Sequence, residues 1–148
     1  MISRTFAYAF GEAKQYGGGI PSIPFVVIDS SRFSVGDLQI EPVPVEHGEM
    51  TIFGYRIGKF AYATDCNNID VASKEKLKNL DVLILDGLRF NPHPTHFSID
   101  EAVQLAKELK PRMTYLTHMN HDVLHAETEK KLPENVRLGY DGLSFEIA

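Results

Sequence analysis

Three of the chain's six histidines fall within residues 117–125, THMNHDVLH, directly behind the apolar run MTYL at 113–116. Imidazoles gathered behind a buried segment read either as metal ligands or as a helix that carries histidines on its surface. What decides between them is what else arrives at the same place. Four residues share one trait: each lies just past an apolar, strand-like run. His47 follows EPVPVE, Asp65 follows FAYAT, His96 lies in the loop DGLRFNPHPTHFS after VLILD, and His118 follows MTYLT. Loops at the carboxyl ends of strands are where α/β sheets build their sites. Neutral imidazole and carboxylate are the donors that suit Zn²⁺, Mn²⁺ or Fe²⁺. The expected chemistry is therefore that of a divalent metal.

The neighbouring polar residues carry weaker expectations. Asp86 ends the run VLILD and either points into the same pocket or caps the loop that follows. His93 reads as a solvated loop residue. His121 and His125, four apart on an expected helix, share a face and either orient a ligand from behind or lie on the surface. Cys66 is a soft ligand or, more simply, a small core residue, and Asp141 in YDG is a turn former.

The elements that position these residues follow from periodicity and punctuation. The stretch YGGGIPSIP (16–24) reads as a loop. Strand-like runs follow at 25–28, 38–45, 51–57 and 60–64, the last two joined through Gly58-Lys59 as a tight hairpin. Pro42 and Pro44 suit a strand edge or end. A short helix is expected over 73–80, and a strand covered on both faces over 82–86. Ser98 and Glu101 have the spacing of a capping box ahead of a helix whose apolar positions Ile99, Ala102, Val103, Leu105, Ala106 and Leu109 form one stripe. A buried strand at 113–117, a short helix after His121 and a closing hairpin over VRLGYDGLSFEI complete the pattern. Antiparallel strands followed by strand–helix alternation define an α/β fold with a mixed sheet and flanking helices.

With 148 residues, the chain has the length of one domain. A net charge of −5 and the absence of a basic run argue against a nucleic-acid surface. No apolar segment has signal-peptide or membrane-spanning length, and a single cysteine excludes an internal disulfide. A soluble, cytoplasmic protein is the expectation.

Taken together, the motifs VEHG, FAYATDCN, DGLRFNPHPTHFS, YLTHMNHD and YDGLSFEI resemble the C-terminal half of a metallo-β-lactamase-fold hydrolase. Within that family they resemble the branch of phosphoribosyl cyclic phosphate phosphodiesterases. The resemblance implies a partial αββα sandwich, and two divalent ions, zinc or manganese, in the complete family site. By resemblance, His47 is a ligand of the first ion, Asp65 the carboxylate that bridges both, and His118 a ligand of the second. His96 is the residue that contacts the phosphate or assists the leaving group. The family motif His-x-His-x-Asp-His has no counterpart here, since no histidine precedes His47. The expectation is a truncated domain that binds one ion weakly at most, and that hydrolyses a small phosphodiester only when a complementary N-terminal half completes it. The alternative is a non-catalytic half domain acting as a homo-oligomeric binding module.

Overall fold

The computed structural model describes residues 2–6, 9–10 and 26–147. After a short helix, α1 (Ile2–Thr5), seven strands join in one sheet in chain order: β1 (Phe33–Val35), β2 (Leu38–His47), β3 (Met50–Ile57), β4 (Phe60–Ala63), β5 (Val82–Asp86), β6 (Met113–Thr117) and β7 (Val136–Leu138). Strands β1 to β4 pair antiparallel, and β4 to β7 pair parallel. The parallel crossovers carry α2 (Val71–Lys76), α3 (Ile99–Leu109) and α4 (His125–Glu129). Right-handed crossovers that always advance to the next strand put their helices on one face of the sheet.

Local chemistry explains these elements. The β3–β4 hairpin turns at Gly58, whose φ of +57° is open to glycine without a steric cost. Strand β1 pairs only with Leu38–Ile40, so the outer edge of β2 beyond it needs few amide donors, and Pro42 and Pro44 sit there. Asp70 caps α2 by accepting from the Ser73 amide at 2.7 Å. The capping box of α3 is complete: Ser98 Oγ accepts from the Glu101 amide, and Glu101 Oε2 accepts from the Ser98 amide at 2.8 Å.

Alternate strand residues face the helices. Val43, Val45, Ala61, Ala63, Leu83, Leu85, Leu116 and Leu138 form one core with Leu77, Ile99, Ala102, Leu105 and Leu109. Truncating any of these leucines to alanine costs about 2–5 kcal/mol. The residues between them, Phe60, Tyr62, Ile84 and Tyr115, line a groove of about 450 Å³ on the other face, with Phe145 stacked on Tyr115 at 5.6 Å. Tyr62 is 44% exposed there. Among the described residues no helix is long and apolar enough to cross a membrane.

Four expectations are corrected. The closing hairpin does not form: β7 pairs parallel with β6, and residues 143–147 belong to no strand. Phe145 instead packs on the sheet face through aromatic contact, which takes the place of backbone pairing. Residues 26–28 are not a strand, and Val26 and Val27 are exposed; they have apolar side chains, but among the described residues no strand pairs with them. The helix expected over 73–80 begins earlier, at Val71, because Asp70 is the cap. His121 precedes α4, so it shares no helical face with His125. The loop at 16–24 and Phe25 lie outside the described residues.

Candidate metal centre

Strands β2, β4, β5 and β6 all run in the same direction, because β3 reverses twice between β2 and β4. Their carboxyl ends therefore meet at one edge of the sheet. His47 is the last residue of β2, Asp65 lies two residues past β4, Asp86 ends β5, and His118 follows β6. His96 arrives from the loop between β5 and α3.

That loop is fixed at several points. Leu88 N donates to Phe97 O, Phe97 N to Cys66 O, Ile99 N to Arg89 O, and Asn120 N to Leu88 O, all at 2.8–2.9 Å. It is also tied to His47, whose Nδ1–H donates to Thr95 O at 2.9 Å. Because a carbonyl only accepts, this bond puts the proton on Nδ1 and leaves the Nε2 lone pair free. Gly48 permits the close approach: with φ +61°, an added Cβ would lie 2.9 Å from Thr95 Cγ2.

The rings converge. His96 lies 4.8 Å from His47 and 4.7 Å from His118, centroid to centroid. His118 Nδ1 is 3.4 Å from Asp65 Oδ1, with both side chains about 40% exposed (42% and 41%). His118 has φ +61°, a left-handed conformation that costs a non-glycine residue about 1–2 kcal/mol. Such strain is held where the surrounding structure over-determines it.

Asp86 is fully buried beneath this group. Its Oδ2 accepts from His96 Nδ1 at 2.8 Å and from the Cys66 amide at 2.9 Å. Oδ1 has no hydrogen-bond partner among the described residues. Burial pushes the Asp86 carboxyl above its ordinary pKa, against the pull of His96 and the Cys66 amide. One donor atom each from Asp65, Asp86, His96 and His118 lies within 4.8 Å of the others. Two carboxylates and two imidazoles this close, one carboxylate oxygen being buried and unpaired, form a donor set that fits a divalent cation. His47 flanks this set against the His96 ring.

Two residues gain importance that sequence reasoning did not give them. Asp86, open between two readings, is the buried anchor of His96; an ionisable residue at the end of an all-apolar strand was its signal. His93 is not a free loop residue: its ring is 5.0 Å from His96, and partial burial and the Arg89 charge both favour its neutral form. Its signal was the spacing Pro-His-Pro-Thr-His, in which Pro92 and Pro94 flank His93 and Pro94 restricts the chain between the two imidazoles. His121 is 92% exposed and His125 packs edge-on to Tyr140 at 6.4 Å, outside the cluster. Cys66 is a core residue whose thiol burial pushes up to about 12.

Residues 2–119 match the Beta-lactamase superfamily domain. The chain belongs to that family. A solved structure of a diphosphatase from the PhnP family superposes on this beta-lactamase-superfamily chain with a TM-score of 0.89 at 39% identity, covering 99% of the chain and 54% of the diphosphatase. YhfI of Bacillus subtilis, a metallo-beta-lactamase fold protein, shares the fold with a TM-score of 0.70 at 19% identity, over 86% of this chain and 57% of YhfI. An octanoyltransferase of Porphyromonas gingivalis (strain ATCC BAA-308 / W83) is 37% identical over 117 residues, which are 78% of this chain and 24% of that protein. The superfamily chain thus spans about half the length of the solved relative and a quarter of the curated one.

Proposed function

We propose that this chain supplies half of the active site of a metal-dependent hydrolase that cleaves phosphodiester-type bonds. The observation that carries the reading is the buried Asp86–His96 pair set against Asp65 and His118. The likeness to a diphosphatase at 39% identity supports hydrolysis at phosphorus, the broader class to which phosphodiester cleavage belongs. His47, Asp65 and His118 would hold zinc or manganese, with Asp86 Oδ1 as a further buried acceptor. A divalent ion, when bound, supplies charge that polarises a phosphoryl oxygen and acidifies water.

The chain's own residues do the rest. Asp86 accepts from Nδ1–H of His96, which orients the ring; as an imidazolium balanced by the Asp86 carboxylate, His96 turns an Nε2–H toward a phosphoryl oxygen or gives that proton to the departing oxygen. His47, locked by Thr95, keeps its Nε2 lone pair available. Residues 88–97, pinned at both ends, hold His96 in place without an entropic cost at each turnover.

In this reading the chain keeps two protein ligands for each of two ions, with Asp65 counted twice, where a closed site takes about four. It therefore binds one ion weakly by itself and needs the polypeptide equivalent to the rest of the PhnP-family diphosphatase, of which it spans 54%. The groove between Phe60, Tyr62 and Tyr115 is the surface that partner covers.

The test is complementation. Mixed with the remaining half of the PhnP-family diphosphatase, the chain should hydrolyse bis-p-nitrophenyl phosphate with Mn²⁺ or Zn²⁺, and Asp65→Ala should remove that rate. Alone, it should be no faster than its His118→Ala variant. A complemented mixture that is inactive with every divalent metal sinks the hydrolase reading.

A further inference from the structure

The backbone that carries Asp65 is held on both sides. Strand β4 stops at Ala63, and the fully buried Cys66 donates its amide to Asp86 Oδ2 at 2.9 Å and its thiol to Ala63 O at 3.5 Å. Asn67 N donates to Glu46 O at 2.8 Å, and Asn67 Oδ1 accepts from the Gly48 amide at 2.8 Å, which ties this turn to the residues on either side of His47. What these bonds leave free is the Asp65 side chain. Its carboxylate is 41% exposed, and the terminal torsion of an aspartate is broad rather than staggered, so the backbone alone does not aim the oxygens. Thr64 does. Its Oγ1 donates to Asp65 Oδ1 at 2.8 Å, the one hydrogen bond to that carboxylate among the described residues. His118 Nδ1 stands 3.4 Å from the same oxygen, longer than an ordinary N–H···O bond. Branching at Cβ stiffens the first torsion of threonine, so the direction of its hydroxyl follows from the backbone at the end of β4.

We propose that Thr64 is a positioning residue of the metal centre, whose hydroxyl sets the plane of the Asp65 carboxylate before a divalent cation arrives. The proposal rests on the reading of this cluster as a metal centre and names the residue that aims one of its ligands. A carboxylate offers about four lone-pair sites, two on each oxygen. Thr64 takes one on Oδ1 and leaves the other, with both on Oδ2, for cations. A carboxylate that serves two ions, as Asp65 does in the reading above, has to present both oxygens. A neutral hydroxyl orients it without cancelling its charge, whereas a lysine or arginine in the same place would compete with the cation. The Asp65 side chain is thereby ordered in folding rather than on ion binding, and less affinity is lost to ordering it.

The probe is Zn²⁺ alone, titrated calorimetrically into the full chain after chelator treatment, with the melting temperature of the metal-free protein as the control for folding. Thr64→Val keeps the shape of the side chain and removes the hydroxyl. It should bind zinc about 10–100-fold more weakly than the wild type, the loss typical when a ligand's hydrogen-bond partner is removed. Its metal-free melting temperature should stay within about 2 °C of the wild type, because the lost bond lies on a half-exposed carboxylate. Thr64→Ser restores the hydroxyl on a less rigid stem and should return the affinity to within about threefold of the wild type. Equal zinc affinity in Thr64→Val and the wild type overturns the positioning role and leaves the metal centre standing. A metal-free Thr64→Val that melts well below the wild type, or a Thr64→Ser as weak as Thr64→Val, makes the residue structural and overturns the role as well. A wild type that takes up no zinc removes the metal centre and the proposal together.

Discussion

The fully buried Asp86 carboxylate accepts from His96 Nδ1 at 2.8 Å and from the Cys66 amide at 2.9 Å through the same oxygen. One atom thus joins the end of β4, the end of β5 and the middle of the loop from which His96 projects. The other oxygen is buried with no partner among the described residues, which costs stability and leaves an acceptor in place for a cation.

Asp86→Asn should separate stability from function. The amide oxygen still accepts from both donors, and the buried charge is gone, so the melting temperature should stay level or rise. Burial raises the Asp86 pKa above 3.8. The folded state therefore holds its proton more tightly than the unfolded state, and stability falls as pH rises from 3.8 through the raised value. The asparagine variant should lack that decline. Turnover in the complemented protein should drop by about 10–100-fold, as when a group that orients a ligand or catalytic imidazole is lost. Calorimetric melting across pH and a rate assay check the two halves.

Cys66 makes a second pH prediction. Its folded pKa of about 12 lies above the ordinary 9.0, chiefly because burial disfavours the thiolate, with Asp86 and Asp65 adding to it. Its contribution is intact below pH 9 and is lost as pH climbs toward 12, because only the unfolded state ionises in that window. Urea melts at pH 8 and pH 10.5 should show a loss that Cys66→Ala reduces. Native protein at pH 8 should resist a thiol reagent that modifies it fully in urea.

Ser98→Ala removes the hydroxyl that accepts from the Glu101 amide, and it should lower stability by about 1 kcal/mol. The helix it caps starts one residue later, three residues past His96, so the loss should also loosen the loop. Hydrogen exchange should rise at the amides of Phe97 and Ile99, both of which are bonded in the native fold. An unchanged exchange pattern would show that the loop is held without the cap.

Zinc or manganese should raise the melting temperature of the chain through binding to the folded state alone. Isothermal titration should find at most one ion per chain. Asp65→Ala and His118→Ala should each abolish the shift, and a chelator should reverse it in the wild type. A metal-induced shift of equal size in Asp65→Ala would place the ion elsewhere.

Much of the architecture was readable from local signals. Gly58 and the alternating runs around it announced the β3–β4 hairpin, Ser98 and Glu101 announced α3, and the unbroken apolar runs at 82–86 and 113–117 announced β5 and β6. Each of these depends on interactions within a few residues, which is the range over which sequence spacing is informative. That His47, Asp65, His96 and His118 follow strands was equally plain. The same reasoning failed for residues 143–147, whose alternating pattern promised a strand: a strand also needs a neighbour with free backbone groups, and here Phe145 finds Tyr115 instead.

What the sequence determined by itself was a family and most of its strands and helices. The tertiary structure decided which donors meet. Asp86 could have capped a loop, and His93 could have stood in water; only the parallel register Asp86↔Thr117 and the loop stitched to Cys66 and Asn120 set one beneath His96 and the other beside it. Cysteine 66 and the Asp86 carboxylate are twenty residues apart in the chain and 2.9 Å apart in space. Contacts at that separation are fixed by how strands pair and by what the helices bury, and no local pattern of residue types encodes them.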